Sequence, residues 1–471
     1  MKSIMIPDTL RKLNEIFLKN GFKAYLVGGA VRDVLLKKAA SDWDITTNAR
    51  PEQIMRIFHR VIPTGIAHGT VTIHFMGKEI EATTFRSESG YSDGRHPDSV
   101  SFDATLEDDL SRRDFTMNAI AASLTDGTLI DPFDGQRDIK SKIIRTVGES
   151  RDRFLEDGLR PIRAIRFSSQ LNFEIEKNTY EAIRLPEVLQ KISSISLERF
   201  RVEFEKILMT EEPSIALHRM EESGILKMFI PELAECRGCE QTDLRGFHEF
   251  DVLDHNLYAC DGAPKDKLVV RLAALFHDVG KKPAKTIEKR EFPAGSGSFT
   301  DIVHFYRHEE YSADIVRTVL PRLKFPNAVT DRVEHLVRQH MFHFEENWSD
   351  AAVRRFIVKV GKENLDDLLD LRLADMYGKY RRKAEHTSDG VKSLLALRDR
   401  ISAIDSKNTA LSLRDLAVNG KDLIDSGIQP GKRMGAILNE LFQCVLDDPA
   451  MNTKEQLLTV AKKLSEKNNF F

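Results

Sequence analysis

Residues 24–47 read AYLVGGAVRDVLLKKAASDWDITT, and the reading of this stretch decides the fold. Ala24–Val27 is a short apolar run of strand type that ends on Gly28-Gly29. A short helix is expected around Val31–Leu36, and Trp43–Thr47 reads as the next strand, with Ile45 directed at a core. Upstream, residues 9–20 read as a helix with Asp8 as N-cap, Leu10, Leu13, Ile16 and Phe17 on one face, and Gly21 as the stop. Downstream, Pro51 opens a helix, and Val71, Ile73 and Phe75 alternate with polar residues. Met76-Gly77-Lys78 is a turn, and Glu79–Phe85 is the returning strand.

Strands and helices therefore mix at the start of the chain, whereas beyond Asp138 the pattern is helical. Arg153–Phe173 and Leu197–Leu208 are strongly periodic, and the later β signal is a hairpin over Ile287–His304 that turns at 293–297. Helical periodicity is broken near Lys379–Gly390 and Gly420–Gly435. The expected class is α+β: a mixed α/β head (1–137), a helical neck (138–210), a helical body (211–385) and a helical tail (386–471).

Composition bounds the function. The 471 residues carry 70 Lys+Arg against 73 Asp+Glu, a net charge of −3, with 41% hydrophobic and 30% charged residues. That fits a multidomain globular protein and excludes a disordered tail, a collagen-like repeat or a uniformly basic surface. The charge is local. From Arg137 to Arg166 nine basic residues face five acidic ones, and Lys379-Tyr380-Arg381-Arg382-Lys383 is a second basic cluster. No run of 18 apolar residues predicts a membrane span. The N-terminus has no signal-peptide pattern, and four cysteines are too few for a disulfide scaffold, so a cytoplasmic location is expected. Cys236 and Cys239 form a C-x-x-C pair. A zinc site there would need Cys260 or His248, and two ordinary cysteines are the preferred reading.

The first chemical constellation is Asp42, Asp44 and Glu81. Residues i and i+2 of a strand share a face, so the D-x-D places two carboxylates side by side. Such a pair is costly unless a cation relieves it, and Mg²⁺ held by carboxylates plus substrate phosphates is the usual arrangement. Glu81 on the returning strand offers a third carboxylate. Gly28-Gly29 ends a strand and opens a helix, where free N–H groups can receive phosphates. A glycine turn after a strand followed by a D-x-D strand is the pattern of a nucleotidyltransferase head.

The chain resembles the bacterial class II tRNA nucleotidyltransferase / poly(A) polymerase family. The resemblance rests on LVGGAVRD (26–33), SDWDITT (41–47), EATTFRSESGYSDGRHPDSVSF (81–102), RRDFTMNAIA (112–121), DPFDG (131–135) and EDGLRPIRAIRF (156–167). It implies that Asp42 and Asp44 hold Mg²⁺ and activate an RNA 3′-hydroxyl. It also implies that Gly28, Gly29 and Arg32 embrace a triphosphate, and that Arg112 and Arg113 contact phosphate and ribose beside Asp114 and Asn118. Glu156-Asp157-Gly158-Leu159-Arg160 matches a motif taken to template the nucleobase. Cytosine and adenine both present an amino donor beside a ring-nitrogen acceptor, which Asp157 and Arg160 can meet. Uracil and guanine place a carbonyl against the carboxylate. With Asp157 as N-cap, Pro161 would be the fourth helical residue, and Arg163 and Arg166 could face nucleotide or RNA phosphates. Arg86–Asp98 matches the family's flexible loop, complete in length, which argues against an enzyme that adds only cytidines.

A second constellation resembles the HD superfamily of metal-dependent phosphohydrolases: His255, His277-Asp278 at the end of LVVRLAALFHDVGKK, and Asp375. His308 and His340 either extend the set toward two ions or are polar residues on helix faces. His304 and His343 are weaker candidates. Such ligands suit Mn, Ni, Fe or Co. The tail after Leu411 resembles the C-terminal part of CCA-adding enzymes, with Gly431-Lys432-Arg433 at a helix start able to hold an RNA phosphate. The expected activity is addition or repair of the tRNA 3′-CCA with CTP and ATP, and the expected partner is tRNA, for a monomer or homodimer with no membrane. The HD domain would be a phosphatase or phosphodiesterase. The rivals are an A-adding enzyme or poly(A) polymerase, and an HD phosphohydrolase whose head only binds RNA.

Overall fold

The computed structural model describes residues 2–39, 42–89, 99–241, 249–291, 297, 299–345, 347–381, 389–406 and 410–466. The chain divides into two compact units, Met1–Pro231 and Glu232–Phe471.

The first unit is built on a seven-stranded sheet in the order Val61–Gly65, Thr70–Phe75, Lys78–Thr84, Trp43–Thr47, Ala24–Val27, Ala121–Ser123, Leu129–Ile130. Trp43–Thr47 and Lys78–Thr84 run parallel, and the other neighbours are antiparallel. Period-two alternation sets the register. Val71 and Ile73 pair with Ala82 and Ile80, and all four are fully buried, as is Ile45. The register places Asp44 directly beside Glu81. The helix after Gly28-Gly29 spans Gly29–Leu35, close to the sequence reading.

Two local expectations are corrected. The first helix begins at Asp8, not after it. Pro7 occupies the N-cap position without a side-chain bond, and Asp8 contributes its charge from the first turn. The periodic stretch 153–173 is two helices, Ser150–Glu156 and Leu159–Leu171, separated by an extended Asp157. Pro161 explains the break: it has no N–H to donate to the carbonyl of Asp157, and its ring would clash with that carbonyl in a continuous helix. Gly158 is the N-cap, so Pro161 is the third helical residue rather than the fourth. The helix Pro213–Glu222 packs on Leu159–Leu171 and lies in the first unit.

The second unit is helical apart from the hairpin Lys285–Glu291/Phe299–Phe305, which pairs from Lys285↔Phe305 to Glu291↔Phe299. Its helix Leu268–Phe276, apolar except for Arg271, is buried from Val270 through Phe276. Val252–Gly262 packs on Leu365–Tyr380. The approach is close enough that a Cβ on Gly378 would stand 2.7 Å from the carbonyl oxygen of His255. Toward the C-terminus Ile437, Leu441 and Val445 form a core with Leu423, Leu457 and Ala461. Among the described residues no helix is long and apolar enough to cross a membrane.

Candidate active site and candidate metal centre

In the first unit Asp42 stands just before the strand Trp43–Thr47 and is exposed, while Asp44, on the strand, is half-buried. Loss of hydration raises the Asp44 pKa, Arg113 opposes this, and Asp42 raises it further. Glu81 is raised for the same reasons, desolvation first and then the charge of Asp44. Three carboxylates gathered at one edge, with the charge of Asp42 acting on Asp44 and that of Asp44 on Glu81, are a donor set suited to a divalent cation. Gly28 lies beside them with φ +70°, and a Cβ there would sit 3.1 Å from Arg113 Nη1 and 3.8 Å from Asp44 Oδ2. The missing side chain keeps the backbone near both the acid edge and a guanidinium.

Behind this edge is a network of charges. Asp109, fully buried, accepts from Arg112 Nε and Nη2 (3.0 and 2.7 Å) and lies 3.5 Å from Arg113 Nη2. The Thr46 hydroxyl donates toward Asp109 (3.1 Å). Among the described residues the buried Arg113 Nε has no hydrogen-bond partner. Asp114 accepts from its neighbour Phe115 N (2.9 Å), Asn118 Nδ2 (3.0 Å), and Arg163 Nε and Nη2 (2.8 and 2.7 Å). Burial pushes its carboxyl up, but Arg163, the Asn118 amide and Arg160 outweigh that and hold it at about 2. Arg32 is buried and donates to Asn118 (2.9 Å) and Asp33 (2.9 Å). Arg166 is placed differently from the sequence reading. It is buried, with Nε on Glu203 Oε2 at 2.5 Å and its guanidinium 3.9 Å from the Phe167 ring centroid. Its donors hold the neck together instead of facing a phosphate.

The base-template motif is pre-arranged by partners outside it. Arg199 Nη2 donates to both oxygens of Asp157 (3.1 and 2.7 Å), and Leu159 N caps onto Oδ1 (2.9 Å). Arg160 donates to Glu156, to the Arg153 carbonyl (3.1 Å) and to the Arg112 carbonyl (3.1 Å). Among the described residues these bonds leave Nε–H and one Nη2 hydrogen of Arg160 for another acceptor. Sequence reasoning missed Asp109, Arg199 and Glu203. A signal existed for Glu203: on Leu197–Leu208 it falls in the buried stripe of Phe200, Phe204 and Ile207, where a carboxylate demands a cation. Arg199 has no such signature.

Ser41, most of the flexible loop (90–98), His248, the hairpin turn at 292–296, and Arg382 and Lys383 lie outside the described residues. Cys236 and Cys239 are buried and belong to no cluster of metal-ligand type among the described residues. Burial pushes the Cys236 thiol up, which suits a packed cysteine. Gly431 does precede a helix, Lys432–Asp447, and Arg433 donates to the Ser465 carbonyl (2.5 Å).

In the second unit His255, His277, Asp278, His308, His340 and Asp375 converge, all of them buried. Asp278 faces two ways. Its Oδ2 is 3.3 Å from both His255 Nε2 and His277 Nε2, and its Oδ1 is 3.1 Å from His308 Nε2 and 3.7 Å from His340 Nε2. Asp375 Oδ1 is 3.3 Å from His255 Nε2. The Nδ1 atoms of His277, His308 and His340 meet the carbonyls of Ala274, Phe305 and Val337 at 2.8, 3.0 and 2.6 Å. A carbonyl only accepts, so each Nδ1 carries a proton and, in the neutral imidazole, each Nε2 turns a lone pair inward. Among the described residues, His308 Nε2 and His340 Nε2 have no hydrogen-bond partner. Lys281, also buried, sets its Nζ 2.6 Å from Asp278 Oδ2 and donates to Gln241 Oε1 (2.7 Å). The six residues fit a divalent metal with imidazole and carboxylate preference.

Residues 24–145 match the "Poly A polymerase head domain" family, 172–237 the "Probable RNA and SrmB- binding site of polymerase A", and 302–461 tRNA nucleotidyltransferase domain 2. Together with the carboxylate edge, these matches define a nucleotidyltransferase. The chain is 34% identical over 453 residues to a CCA-adding enzyme of Pediococcus pentosaceus, covering 95% of each. It is 33% identical to that of Ligilactobacillus salivarius, covering 98% of each. The crystal structure of the Bacillus stearothermophilus CCA-adding enzyme in complex with CTP aligns with a TM-score of 0.72, 28% identity and 98% coverage of both chains. The chain belongs to the CCA-adding enzyme family.

Proposed function

We propose that this chain builds or repairs the 3′-terminal CCA of tRNA from CTP and ATP. The observation that carries this reading is the pairing of Asp44 with Glu81 beside Asp42, Gly28 and Arg113, in a chain alike over nearly its whole length to CCA-adding enzymes. Mg²⁺ held by Asp42 and Asp44, with Glu81 adjacent, would neutralise the triphosphate and activate the RNA 3′-hydroxyl. The oxygen of that hydroxyl bonds to the α-phosphorus, and the bond to pyrophosphate breaks. Arg113 and Arg112 supply guanidinium donors for phosphate and ribose, held in place by Asp109. Asp157 accepts from the base amino group, and the spare donors of Arg160 meet the ring nitrogen. A carboxylate has about four acceptor sites, so Asp157 can keep Arg199 while it accepts from the base.

The test presents purified protein with tRNAs ending at the discriminator base, at C and at CC, with each nucleotide separately. Addition to all three by CTP or ATP as the end demands is expected. Activity on the CC-ended tRNA alone would reassign the chain to A addition. Asp42→Ala with Asp44→Ala should abolish incorporation.

A second reading is favoured by the inward lone pairs of His277, His308 and His340 and the two-faced Asp278. In it the cluster holds one or two divalent transition metals, Mn, Ni, Fe or Co, and the second unit is a phosphohydrolase. Bound metal would supply a hydroxide nucleophile near neutral pH. Metal content by elemental analysis, and phosphate release in wild type against His277→Ala/Asp278→Ala, test it. Equal metal content and equal release would dismiss it.

A further inference from the structure

Within the first unit a line of side-chain hydrogen bonds runs from the head to the helix that follows the base-template motif. Arg32, buried on Gly29–Leu35, donates from Nη1 to Asn118 Oδ1 (2.9 Å). Asn118, buried at the end of the 3₁₀ turn Thr116–Asn118, donates from Nδ2 to Asp114 Oδ1 (3.0 Å). Asp114 Oδ2 accepts from Arg163 Nε and Nη2 (2.8 and 2.7 Å). Arg163 lies on Leu159–Leu171, one turn beyond Arg160. The ring of Phe167, a further turn along that helix, receives both end members, with Cζ of Arg32 and Arg163 at 5.1 and 5.5 Å from its centroid.

The chemistry of the central link sets the direction of this line. The carbonyl of Asn118 faces a guanidinium, which only donates, and its amide nitrogen faces a carboxylate, which only accepts. Leucine serves neither neighbour. Aspartate serves Arg32 but sets a second carboxylate against Asp114. Arg32, for its part, has donors to spare. Its Nε and Nη2 lie 2.9 Å from Asp33 Oδ1, and among the described residues one hydrogen remains on each Nη atom. Arg32 can therefore meet a phosphate without releasing Asn118.

We propose that Asn118 is a positioning residue that couples the grip on the triphosphate to the choice of base. The inference rests on the reading of the chain as a user of CTP and ATP, in which Gly28, Gly29 and Arg32 meet the triphosphate while Asp157 and Arg160 meet the base. A phosphate held by Arg32 fixes its guanidinium. Asn118 passes that constraint to Asp114, and Asp114 holds Arg163 and with it the turn of helix that carries Arg160. Arg160 is tied to the head a second time, through the Arg112 carbonyl (3.1 Å). Recognition by two side chains demands placement within about 0.5 Å, so ordering this helix sharpens the choice of cytosine over uracil. The coupling is reciprocal: the right base tightens the phosphate grip by the factor with which the phosphates tighten base choice. A nucleoside monophosphate lacks the β- and γ-phosphates and is read by the same Asp157 and Arg160 with less discrimination.

The experiment measures the binding of CTP, UTP, CMP and UMP to the full chain with Mg²⁺ and without tRNA, by calorimetric displacement. The quantity read is the preference for cytosine over uracil, once among triphosphates and once among monophosphates. In wild type the preference is expected to be about tenfold greater among triphosphates. In Asn118→Leu and in Asn118→Asp the two preferences should become equal. The aspartate variant preserves the size of the side chain and the acceptor for Arg32, so it carries the test if the leucine variant fails to fold. A purely structural role for Asn118 would lower the melting temperature of the variants and leave their two preferences as far apart as in wild type. That result, or equal preferences in wild type, would overturn the proposal. The functional reading fails separately. If wild type incorporates no CTP into any tRNA, the CCA assignment falls, while the binding preferences still decide the coupling.

Discussion

Asp114→Asn removes the charge at the centre of the network that joins head to neck. Four hydrogen bonds converge on this carboxylate, and its side chain is only 10% exposed. Despite burial, Arg163, the Asn118 amide and Arg160 hold its pKa at about 2, against an ordinary 3.8. At about 1.4 kcal/mol per pH unit, this depression corresponds to about 2 kcal/mol of stability. The folded pKa is the lower one, so the contribution is complete above about pH 4 and is lost as pH falls through about 2. The variant should therefore be about 2 kcal/mol less stable at pH 7, and its stability should fall less steeply between pH 4 and pH 2. The loss can exceed this figure, because Arg163 then lacks its carboxylate. The assay is urea unfolding at a series of pH values in a Trp348→Phe background, which leaves Trp43 as a reporter within the first unit. A loss below about 0.5 kcal/mol at pH 7 with an unchanged pH slope would refute the reasoning.

Three further outcomes are expected. Gly28→Ala forces a Cβ into a left-handed backbone position at 3.1 Å from Arg113 Nη1. It should cost about 1–2 kcal/mol and raise the KM for CTP, and a normal melting temperature with a normal KM would contradict it. Arg199→Ala removes a two-oxygen partner of Asp157. Discrimination of CTP against UTP should fall about tenfold, in line with about 1.4 kcal/mol for a charge-assisted bond, and unchanged selectivity would show that Arg199 is dispensable. Glu203→Gln leaves Arg166 buried without its carboxylate and should destabilise the first unit by about 3–5 kcal/mol. A thermal midpoint within error of wild type would exclude that pairing.

Much of the head was legible because its signals are local. The strand–glycine–helix turn, the D-x-D strand and the alternating strands 70–84 are encoded within a few residues of each other, and the observed spans follow them closely. The break at Asp157 was also written in the sequence. Pro161 forbids a continuous helix, but the placement of the cap on Asp157 put the start one residue early. His255, His277, Asp278 and Asp375 were expected as a set from the resemblance to the HD superfamily, whereas His308 and His340 were left open between ligands and polar face residues, and the fold brings all six together.

By itself, the sequence determined which residue types are available and which short segments carry them: three acids and a glycine turn in the head, an acid and an arginine in the template motif, and histidines at helix ends in the second unit. Tertiary structure decided their partners. Arg166, one turn beyond Arg163, turns inward to Glu203 while Arg163 reaches Asp114, and Asp157 is claimed by Arg199 from 42 residues away. The two oxygens of Asp278 address different histidine pairs because helices distant in the chain pack around one carboxylate, and the approach of Leu365–Tyr380 to Val252–Gly262 depends on Gly378. Periodicity reports the face a residue occupies on its own element, over a reach of three or four residues. Which charge meets it there depends on the packing of the other elements, and in a buried site the cost of an unpaired charge makes that packing decisive.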